Sequence, residues 1–197
     1  MPTDYNFLPK GLKSPQGWYD RGHLPHFDGG PIPQFLTFRL HDSVPQELIE
    51  KWKTTLSDIQ FRKSVEKFLD AGHGSCYLKH RGVARMVADS LKFHDGKKYE
   101  LDAWVIMPNH LHFLVTPFEG VDLATIAHSI KSYTSHEANK ILGRTGRFWQ
   151  VEPFDRYIRS AKHYASVVRY IENNPVKAGL CKTAGEGRFS SAFVNES

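Results

Sequence analysis

The chain has 197 residues, of which 40% are hydrophobic and 24% charged, so it is long enough for one globular domain with a sizeable core. It contains no apolar run of the roughly 20 residues that cross a membrane, and its two cysteines have no CxxC spacing, which excludes a disulfide framework. The net charge of +5 is concentrated in residues 131–182, which contain ten Lys and Arg but only four Asp and Glu. This segment favours a polyanionic partner, although a solvated helix face has the same composition.

The N-terminal residues 1–33 are rich in Pro, Gly and His without periodicity, so we predict an irregular extension. Since they contain no apolar signal-peptide core, we expect a cytoplasmic protein. The other predicted elements are strands at 34–40, 99–107 and 110–115, one or two helices at 45–69, helices at 83–93, 123–142 and 161–174, and an extended segment at 148–158.

Two turn signals shape this prediction. Pro108-Asn109 joins two strands so tightly that they must be antiparallel, which indicates an α+β fold and not a doubly wound one. Pro175 is expected to end the last helix, because the residue before a proline is pushed out of the α region.

Two histidines stand where the second of these strands begins. Since side chains alternate between the faces of a strand, His110 and His112 project from one face and Leu111 from the other. Two neighbouring imidazoles are suited to bind one divalent cation. The alternative, a pair of half-exposed polar residues, stays open on this pattern alone.

The predicted last helix aligns a phenol with an amide. Tyr170 and Asn174 are four residues apart, so they share a helix face, and this face borders the apolar stripe of the helix. The Asn174 amide oxygen is a reasonable third ligand beside the two imidazoles, with the Tyr170 hydroxyl one turn away. Alternatively, Tyr170 is an amphipathic edge residue and Asn174 a helix cap. Spacing alone leaves open which tyrosine would lie nearest a metal: Tyr133, Tyr157, Tyr164 or Tyr170.

This set of side chains suits one kind of chemistry. A tyrosine hydroxyl has a pKa of roughly 10 and is a weak nucleophile when free. A divalent cation that binds the phosphate oxygens makes attack on a phosphodiester feasible. The product is a covalent phosphotyrosine and a released hydroxyl, so the step is reversible and strands can be rejoined.

Three motifs, in this order and spacing, resemble the single-tyrosine HUH transposases of the insertion-sequence type, and most closely the branch of REP-associated tyrosine transposases. They are Ala103-Trp104-Val105-Ile106-Met107-Pro108-Asn109-His110-Leu111-His112, then Phe148-Trp149-Gln150 with Phe154-Asp155-Arg156, and Tyr170-Ile171-Glu172-Asn173-Asn174-Pro175-Val176-Lys177-Ala178-Gly179. The resemblance covers residues 99–182 and includes the strand at 34–40.

The resemblance implies a role for each matched residue. His110 and His112 match the metal-binding pair, Tyr170 the nucleophile and Asn174 the third ligand, for Mg²⁺ or Mn²⁺. It implies a ferredoxin-like antiparallel sheet with packed helices. The implied domains are the extension at 1–33, the transposase domain at 34–182 and a C-terminal tail at 183–197. Its substrate is single-stranded DNA beside a hairpin, cut through a 5′-phosphotyrosine, by a monomer or homodimer. We therefore expect a bacterial, nucleoid-associated enzyme without a membrane partner.

The basic segment fits a DNA substrate. The residues expected to contact DNA phosphates are Lys131, Arg144, Arg147, Arg156 and Arg159. Trp149, Phe148 and Tyr133 are candidates for stacking on unpaired bases, with core packing as the alternative. In the extension, Arg21, His23, Pro25 and His26 are candidates for reading bases beside the hairpin.

Two other functions remain open. A domesticated relative would bind hairpin DNA without cleaving it, but a pure binder has no need of His110, His112, Tyr170 and Asn174. A metal-dependent hydrolase would use water instead of tyrosine, yet the sequence offers no obvious carboxylate base beside the histidines. Cleavage separates the first alternative from the transposase, and a covalent adduct separates the second.

Overall fold

The computed structural model describes residues 17–20, 25–28, 31–151 and 154–194. Its strands and helices are, in chain order, β1 (Gly17–Asp20), β2 (Pro25–Asp28), β3 (Gln34–Arg39), α1 (Gln46–Thr55), α2 (Asp58–Asp70), α3 (Arg81–Phe93), β4 (Tyr99–Ile106), β5 (His110–Pro117), α4 (Leu123–Ile141), β6 (Phe154–Tyr157) and α5 (Ala161–Lys177). Within these ranges, no helix combines the length and hydropathy required to cross a bilayer.

The main sheet is antiparallel, with the strand order β4-β5-β3-β6. Helices α1 to α3 connect β3 to β4, and α4 connects β5 to β6, which gives the βαββαβ order of a ferredoxin-like fold. The tight turn between β4 and β5 makes them antiparallel neighbours, as the Pro108-Asn109 pair predicted. The predicted α+β fold is therefore confirmed, with α5 as an additional helix.

Each face of the sheet is covered by different helices. Leu36, Phe38 and Phe113 lie on the face that packs against α3 and α4, in the largest hydrophobic cluster. The alternate residues Phe35 and Leu114 lie on the other face, in a cluster with α5. Side chains alternate between the two faces along a strand. His110 and His112, which lie four and two residues before Leu114 on β5, therefore share the face that is covered by α5.

The segment predicted as one helix or two forms two, α1 and α2. Ser57 separates them because its side chain accepts from the Gln60 backbone N–H while the Gln60 side chain accepts from the Ser57 N–H. The pair packs around its own small cluster, which includes Phe61, Val65 and Leu69. This cluster places Asp70, the last residue of α2, beside the C-terminal end of α5.

The prediction of an irregular N-terminal extension is wrong for its described residues 17–20 and 25–28, which form strands. Strands β1 and β2 pair as an antiparallel hairpin with Gly17 opposite Asp28 and Asp20 opposite Pro25. Pro25 and His26, expected near the hairpin DNA, are thus strand residues, whereas Arg21 and His23 lie outside the described residues.

The prediction that Pro175 ends the last helix is wrong, since α5 continues through Pro175 to Lys177. A proline near the end of a helix removes only one backbone donor. Pro175 is buried, and the carbonyls of Asn174 and Pro175 accept from the backbone N–H groups of Ala178 and Leu180. Burial and these bonds offset the steric cost of the ring.

Phe148 and Trp149 are core residues, with exposed fractions of 2% and 4%, which corrects the expectation that they stack on DNA bases. The backbone of Trp149 forms an isolated β-bridge with Leu40, the residue after β3. Its indole N–H donates to Thr134 Oγ1 at 2.8 Å. A ring that is enclosed by β3 and α4 has no face for a base. Tyr133, by contrast, is 54% exposed and remains a candidate for stacking.

We predict that Trp149→Phe destabilises the protein by about 1–3 kcal/mol, because it removes a buried hydrogen bond and part of a filled volume. Thr134 Oγ1 keeps its bond to the Ile130 carbonyl, so no hydroxyl is left without a partner. Urea unfolding measures the change. The control Val151→Ala, at a side chain that is 65% exposed, should shift stability by less than about 0.5 kcal/mol; an equal effect of both variants contradicts the prediction.

Candidate metal and nucleophile site

His110 and His112 lie at the start of β5 on the face that is covered by α5. Both are buried, with exposed fractions of 0% and 1%, and their ring centroids are 4.6 Å apart. In the register of the sheet, they stand opposite Arg39 and Thr37 of β3. The predicted pair of neighbouring imidazoles is thus present, and its burial does not fit the alternative of two half-exposed polar residues.

The environment of His110 leaves one ring nitrogen open. Its Nδ1 lies 2.7 Å from Asn109 Oδ1, an oxygen that can only accept, so Nδ1 carries the proton and donates it. Burial first, and the nearby Lys177 charge second, lower the pKa of His110 to about 3, so the ring is neutral at physiological pH. Its Nε2 is buried and has no hydrogen-bond partner among the described residues.

His112 faces the tyrosine of the sequence motif. Its Nδ1 lies 2.7 Å from Thr37 Oγ1, and its Nε2 lies 3.4 Å from the Tyr170 hydroxyl oxygen. Phe35 packs against both rings, with centroid distances of 5.2 Å to His112 and 5.9 Å to Tyr170. These contacts place Tyr170 beside His112.

Asn174 lies one helical turn after Tyr170 on α5. It is 1% exposed, and neither its amide oxygen nor its amide nitrogen has a hydrogen-bond partner within the described ranges. A buried amide without partners costs free energy of about 1–3 kcal/mol unless a ligand satisfies it. Asn174 is therefore not the simple helix cap that the sequence left as an alternative.

The nitrogen and oxygen atoms at this site suit the binding of a divalent cation. A neutral imidazole nitrogen at His110, a second imidazole at His112 and an amide oxygen at Asn174 are reasonable ligands for a divalent cation. The described residues contain no group of three His, Cys, Asp or Glu side chains that would form another metal site. A cation at this site would need the amide as well as the histidines.

Lys177 adds positive charge to the same end of α5. Its ammonium lies 5.8 Å from the Tyr170 ring centroid and forms an ion pair with Asp70 of α2. The Lys177 charge also contributes to the lowered pKa of His110. The site therefore combines a tyrosine, the neutral His110 ring and the Lys177 ammonium, a combination that suits a phosphate group.

The predicted DNA-contacting residues occupy different settings. The Lys131 ammonium is half-buried and donates to the carbonyls of Gln150 and Val151 at 2.8 and 3.0 Å, so it holds the segment after Trp149. Arg144 is also tied inward, through Asn139 Oδ1 and the ring of Tyr77. Exposed positions are those of Arg147 and Arg159, and the Arg156 backbone pairs with Phe35 of β3.

Sequence reasoning missed three residues that lie around the histidines. Asn109 bridges the His110 ring to the His73 carbonyl, which its amide nitrogen contacts at 2.9 Å. Thr37 contacts His112, and Arg39 is a 4% exposed guanidinium opposite His110, with burial lowering its pKa to about 10. The available signal was alternation along 34–40, which puts Thr37 and Arg39 on the face opposite Leu36 and Phe38.

We predict that Asn109→Ala lowers the affinity for Mn²⁺ by about 10–100-fold, since a group that orients a ligating histidine has an effect of this size. Without the amide oxygen, neither the proton position nor the orientation of the His110 ring is fixed. Metal titration followed by calorimetry measures the loss. Asn109→Asp keeps the acceptor and should restore most of the affinity; equal loss in both variants would contradict a role in orienting the ring.

Three comparisons relate this chain to known proteins. Residues 83–174 match the family model that is described as "Transposase IS200 like". Over 102 residues the chain is 31% identical to the REP-associated tyrosine transposase of Escherichia coli (strain K12), an alignment that covers 51% of this chain and 59% of that protein. The match thus spans about three fifths of that relative.

A solved structure of a REP-associated tyrosine transposase bound to a REP hairpin matches with a TM-score of 0.54 and 23% identity, over 88% of this chain and 81% of the other. At this identity the likeness bears on the fold alone. The family match covers β4, β5, α4 and the part of α5 that carries Tyr170 and Asn174. The resemblance that the motifs indicated is confirmed.

Proposed function

We propose that this chain, of which residues 83–174 match the family model described as "Transposase IS200 like", is a metal-dependent nuclease and strand transferase that acts on single-stranded DNA beside a hairpin. The observation that carries this proposal is the distance of 3.4 Å between the Tyr170 hydroxyl oxygen and His112 Nε2, beside buried side-chain atoms of His110 and Asn174 that have no hydrogen-bond partner among the described residues. Such potential metal ligands next to a tyrosine favour a catalytic function over DNA binding alone.

In the proposed reaction, His110, His112 and Asn174 hold Mg²⁺ or Mn²⁺, which when bound neutralises charge on the phosphate oxygens. The Tyr170 oxygen attacks the phosphorus, and the bond from phosphorus to the 3′ oxygen breaks. Tyr170 loses its hydroxyl proton and the released 3′ oxygen gains one, so the products are a phosphotyrosine and a 3′ hydroxyl. The 5′ phosphate stays on Tyr170. The reverse attack by a 3′ hydroxyl rejoins a strand without other energy input.

Charges around the site support a phosphodiester substrate. Lys177 stands beside Tyr170 and is positioned to attract the scissile phosphate. Exposed Arg147 and Arg159 supply contacts to flanking phosphates. A hairpin is proposed because the solved relative is described with a REP hairpin, and the hairpin sequence for this chain follows only from experiment.

The test uses single-stranded hairpin DNA that is labelled at either end, incubated with the protein and Mn²⁺ and separated on a denaturing protein gel. The proposal expects the 3′-end label to migrate with the protein and the 5′-end label to leave as a shorter strand. Cleavage without any protein-bound label would support a water-dependent hydrolase. Hairpin binding without cleavage, across a panel of hairpins, would support a binding protein and overturn the proposed enzyme.

A further inference from the structure

Two segments outside the family match pack against the part of the chain that matches. Residues 189–191 pair with the outer edge of β4, where the backbone N–H of Ile106 donates to the Phe189 carbonyl at 2.8 Å. The helices α1 and α2 form the other segment and precede residue 83, where the match begins. This helix pair contacts the candidate site, so its contribution to the chemistry is considered separately from that of the matched residues.

The C-terminal end of α2 contacts both halves of the site. Asp70, the last residue of α2, forms an ion pair with Lys177 at the end of α5. Three residues later, the His73 carbonyl accepts from the amide nitrogen of Asn109 at 2.9 Å, and Asn109 in turn accepts from His110. The end of this helix is therefore held against the tyrosine helix on one side and against the histidine strand on the other.

The helix itself gives no reason for a carboxylate at Asp70. Gly72, with a φ of +72°, follows the end of α2, and its backbone N–H donates to the Leu69 carbonyl at 2.9 Å. The C-terminus of a helix carries partial negative charge, which disfavours an acidic side chain there. The Asp70 side chain is only 13% exposed, and its Oδ1 is buried without a hydrogen-bond partner among the described residues. The Lys177 ammonium compensates this unfavourable placement.

Lys177, in turn, depends on a partner for a defined position. It follows Tyr170 by seven residues, so it lies on the same helix face about 10 Å further along the axis. Helical side chains lean toward the N-terminus, and the ammonium reaches 5.8 Å from the Tyr170 ring centroid. The Lys177 side chain is 57% exposed, and a free lysine of this kind samples many rotamers. The ion pair with Asp70 selects the rotamer that lies over the tyrosine.

We propose that Asp70 is a positioning residue that holds the Lys177 ammonium beside the phosphate attacked by Tyr170; this inference rests on the proposed function. An ammonium has three N–H donors, so one can remain on Asp70 while the others donate to phosphate oxygens. A positive charge fixed at this place stabilises the charge that develops on those oxygens during attack. The pair of α1 and α2 thus contributes to the reaction from outside the family match.

The experiment measures the rate constant of adduct formation with labelled hairpin DNA in excess over the protein, at saturating Mn²⁺ and over a range of DNA concentrations. The test variant Asp70→Asn removes the charge and keeps the size of the side chain. The control Asp58→Asn removes the same charge from an exposed position in the first turn of α2, about 18 Å along the helix. Because the final amount of adduct counts the active protein, partial unfolding changes this amount and not the rate constant.

We expect Asp70→Asn to lower the rate constant at saturating DNA by at least about fivefold, since a group displaced by about 1 Å can cost up to about 100-fold. The DNA concentration at half-maximal rate should stay within about twofold, because the other phosphate contacts are unchanged. Asp58→Asn should leave both quantities unchanged. Equal rate constants of the two variants overturn the proposal. A faster reaction of Asp70→Asn overturns it too, since Asp70 would then withhold Lys177 from the phosphate.

A double-mutant cycle tests whether Asp70 acts through Lys177. In a Lys177→Met background, which keeps a long side chain without its charge, Asp70→Asn should cause no further decrease in the rate constant. A decrease by the same factor as in the wild-type background would mean that Asp70 acts through the fold, and it would overturn the positioning role.

Failure of the proposed enzyme gives a different result. A wild-type chain that forms the adduct, with an equal rate constant for Asp70→Asn, supports the transposase and contradicts the positioning role. A wild-type chain that forms no adduct on any hairpin contradicts the transposase, and the ion pair is then tested by urea unfolding without DNA. Asp70→Asn should lower the unfolding midpoint more in the wild-type background than in Lys177→Met; equal shifts show that Asp70 does not hold Lys177.

Discussion

Tyr170→Phe is expected to abolish the covalent protein–DNA adduct and to lower cleavage on the order of 10⁴-fold or more, as loss of a nucleophile does in other enzymes. The substitution removes one oxygen, whose contact with His112 at 3.4 Å is too long to contribute much stability. Hairpin affinity should stay within about twofold of the wild-type value, because the phosphate contacts are unchanged. Adduct formation on a denaturing gel, with filter binding of the same DNA, measures both quantities.

The matched control is Tyr164→Phe, on the same helix. The Tyr164 hydroxyl donates to Asp102 Oδ1 at 2.8 Å, and burial, with this hydrogen bond second, raises the pKa of Tyr164 to about 12. A phenol held in this way is a poor nucleophile, so Tyr164→Phe should retain the adduct. If Tyr164→Phe eliminates the adduct and Tyr170→Phe does not, the assignment of the nucleophile is wrong.

The second large effect is expected for His110→Ala. Removal of an imidazole whose Nε2 is buried without a partner among the described residues should lower Mn²⁺ affinity by more than the roughly 100-fold upper limit for a residue that only orients a ligand. Cleavage should fall in parallel at low Mn²⁺ and recover in part at high Mn²⁺. Calorimetric titration of Mn²⁺ and cleavage rates across metal concentrations test the two statements together.

His128→Ala controls for the general loss of an imidazole, since His128 is exposed on α4, away from β5. It should leave metal affinity unchanged. Full cleavage by His110→Ala at low Mn²⁺ would contradict the metal site, and so would an equal loss of affinity in both variants.

Much of the site could be predicted because it depends on local periodicity. Alternation along a strand placed His110 and His112 on one face, and i,i+4 spacing placed Asn174 beside Tyr170. Both rules act over a few residues and need no knowledge of the rest of the chain. The packing of α5 against β5, which brings the two halves together, came from the resemblance and not from the periodicity.

The roles of Trp149 and Lys131 could not be predicted in this way. A tryptophan in an extended, basic segment has the same sequence pattern whether it stacks on DNA or packs in the core. Its burial depends on contacts with Leu40, which is far away in the chain, and with Thr134, which lies on helix α4. Lys131, for the same reason, contributed to a charge count although its ammonium is satisfied by Gln150 and Val151.

The pairing of residues 189–191 with β4 has a consequence for association between copies of the chain. A strand at the margin of a sheet offers unpaired N–H and C=O groups on which a strand of another molecule can add. Between Trp104 and Ile106 these groups are already bonded to Phe189 and Ser191. Two copies therefore cannot extend one continuous sheet through this part of β4 unless the C-terminal segment first detaches, so this pairing protects the protein against aggregation by strand addition.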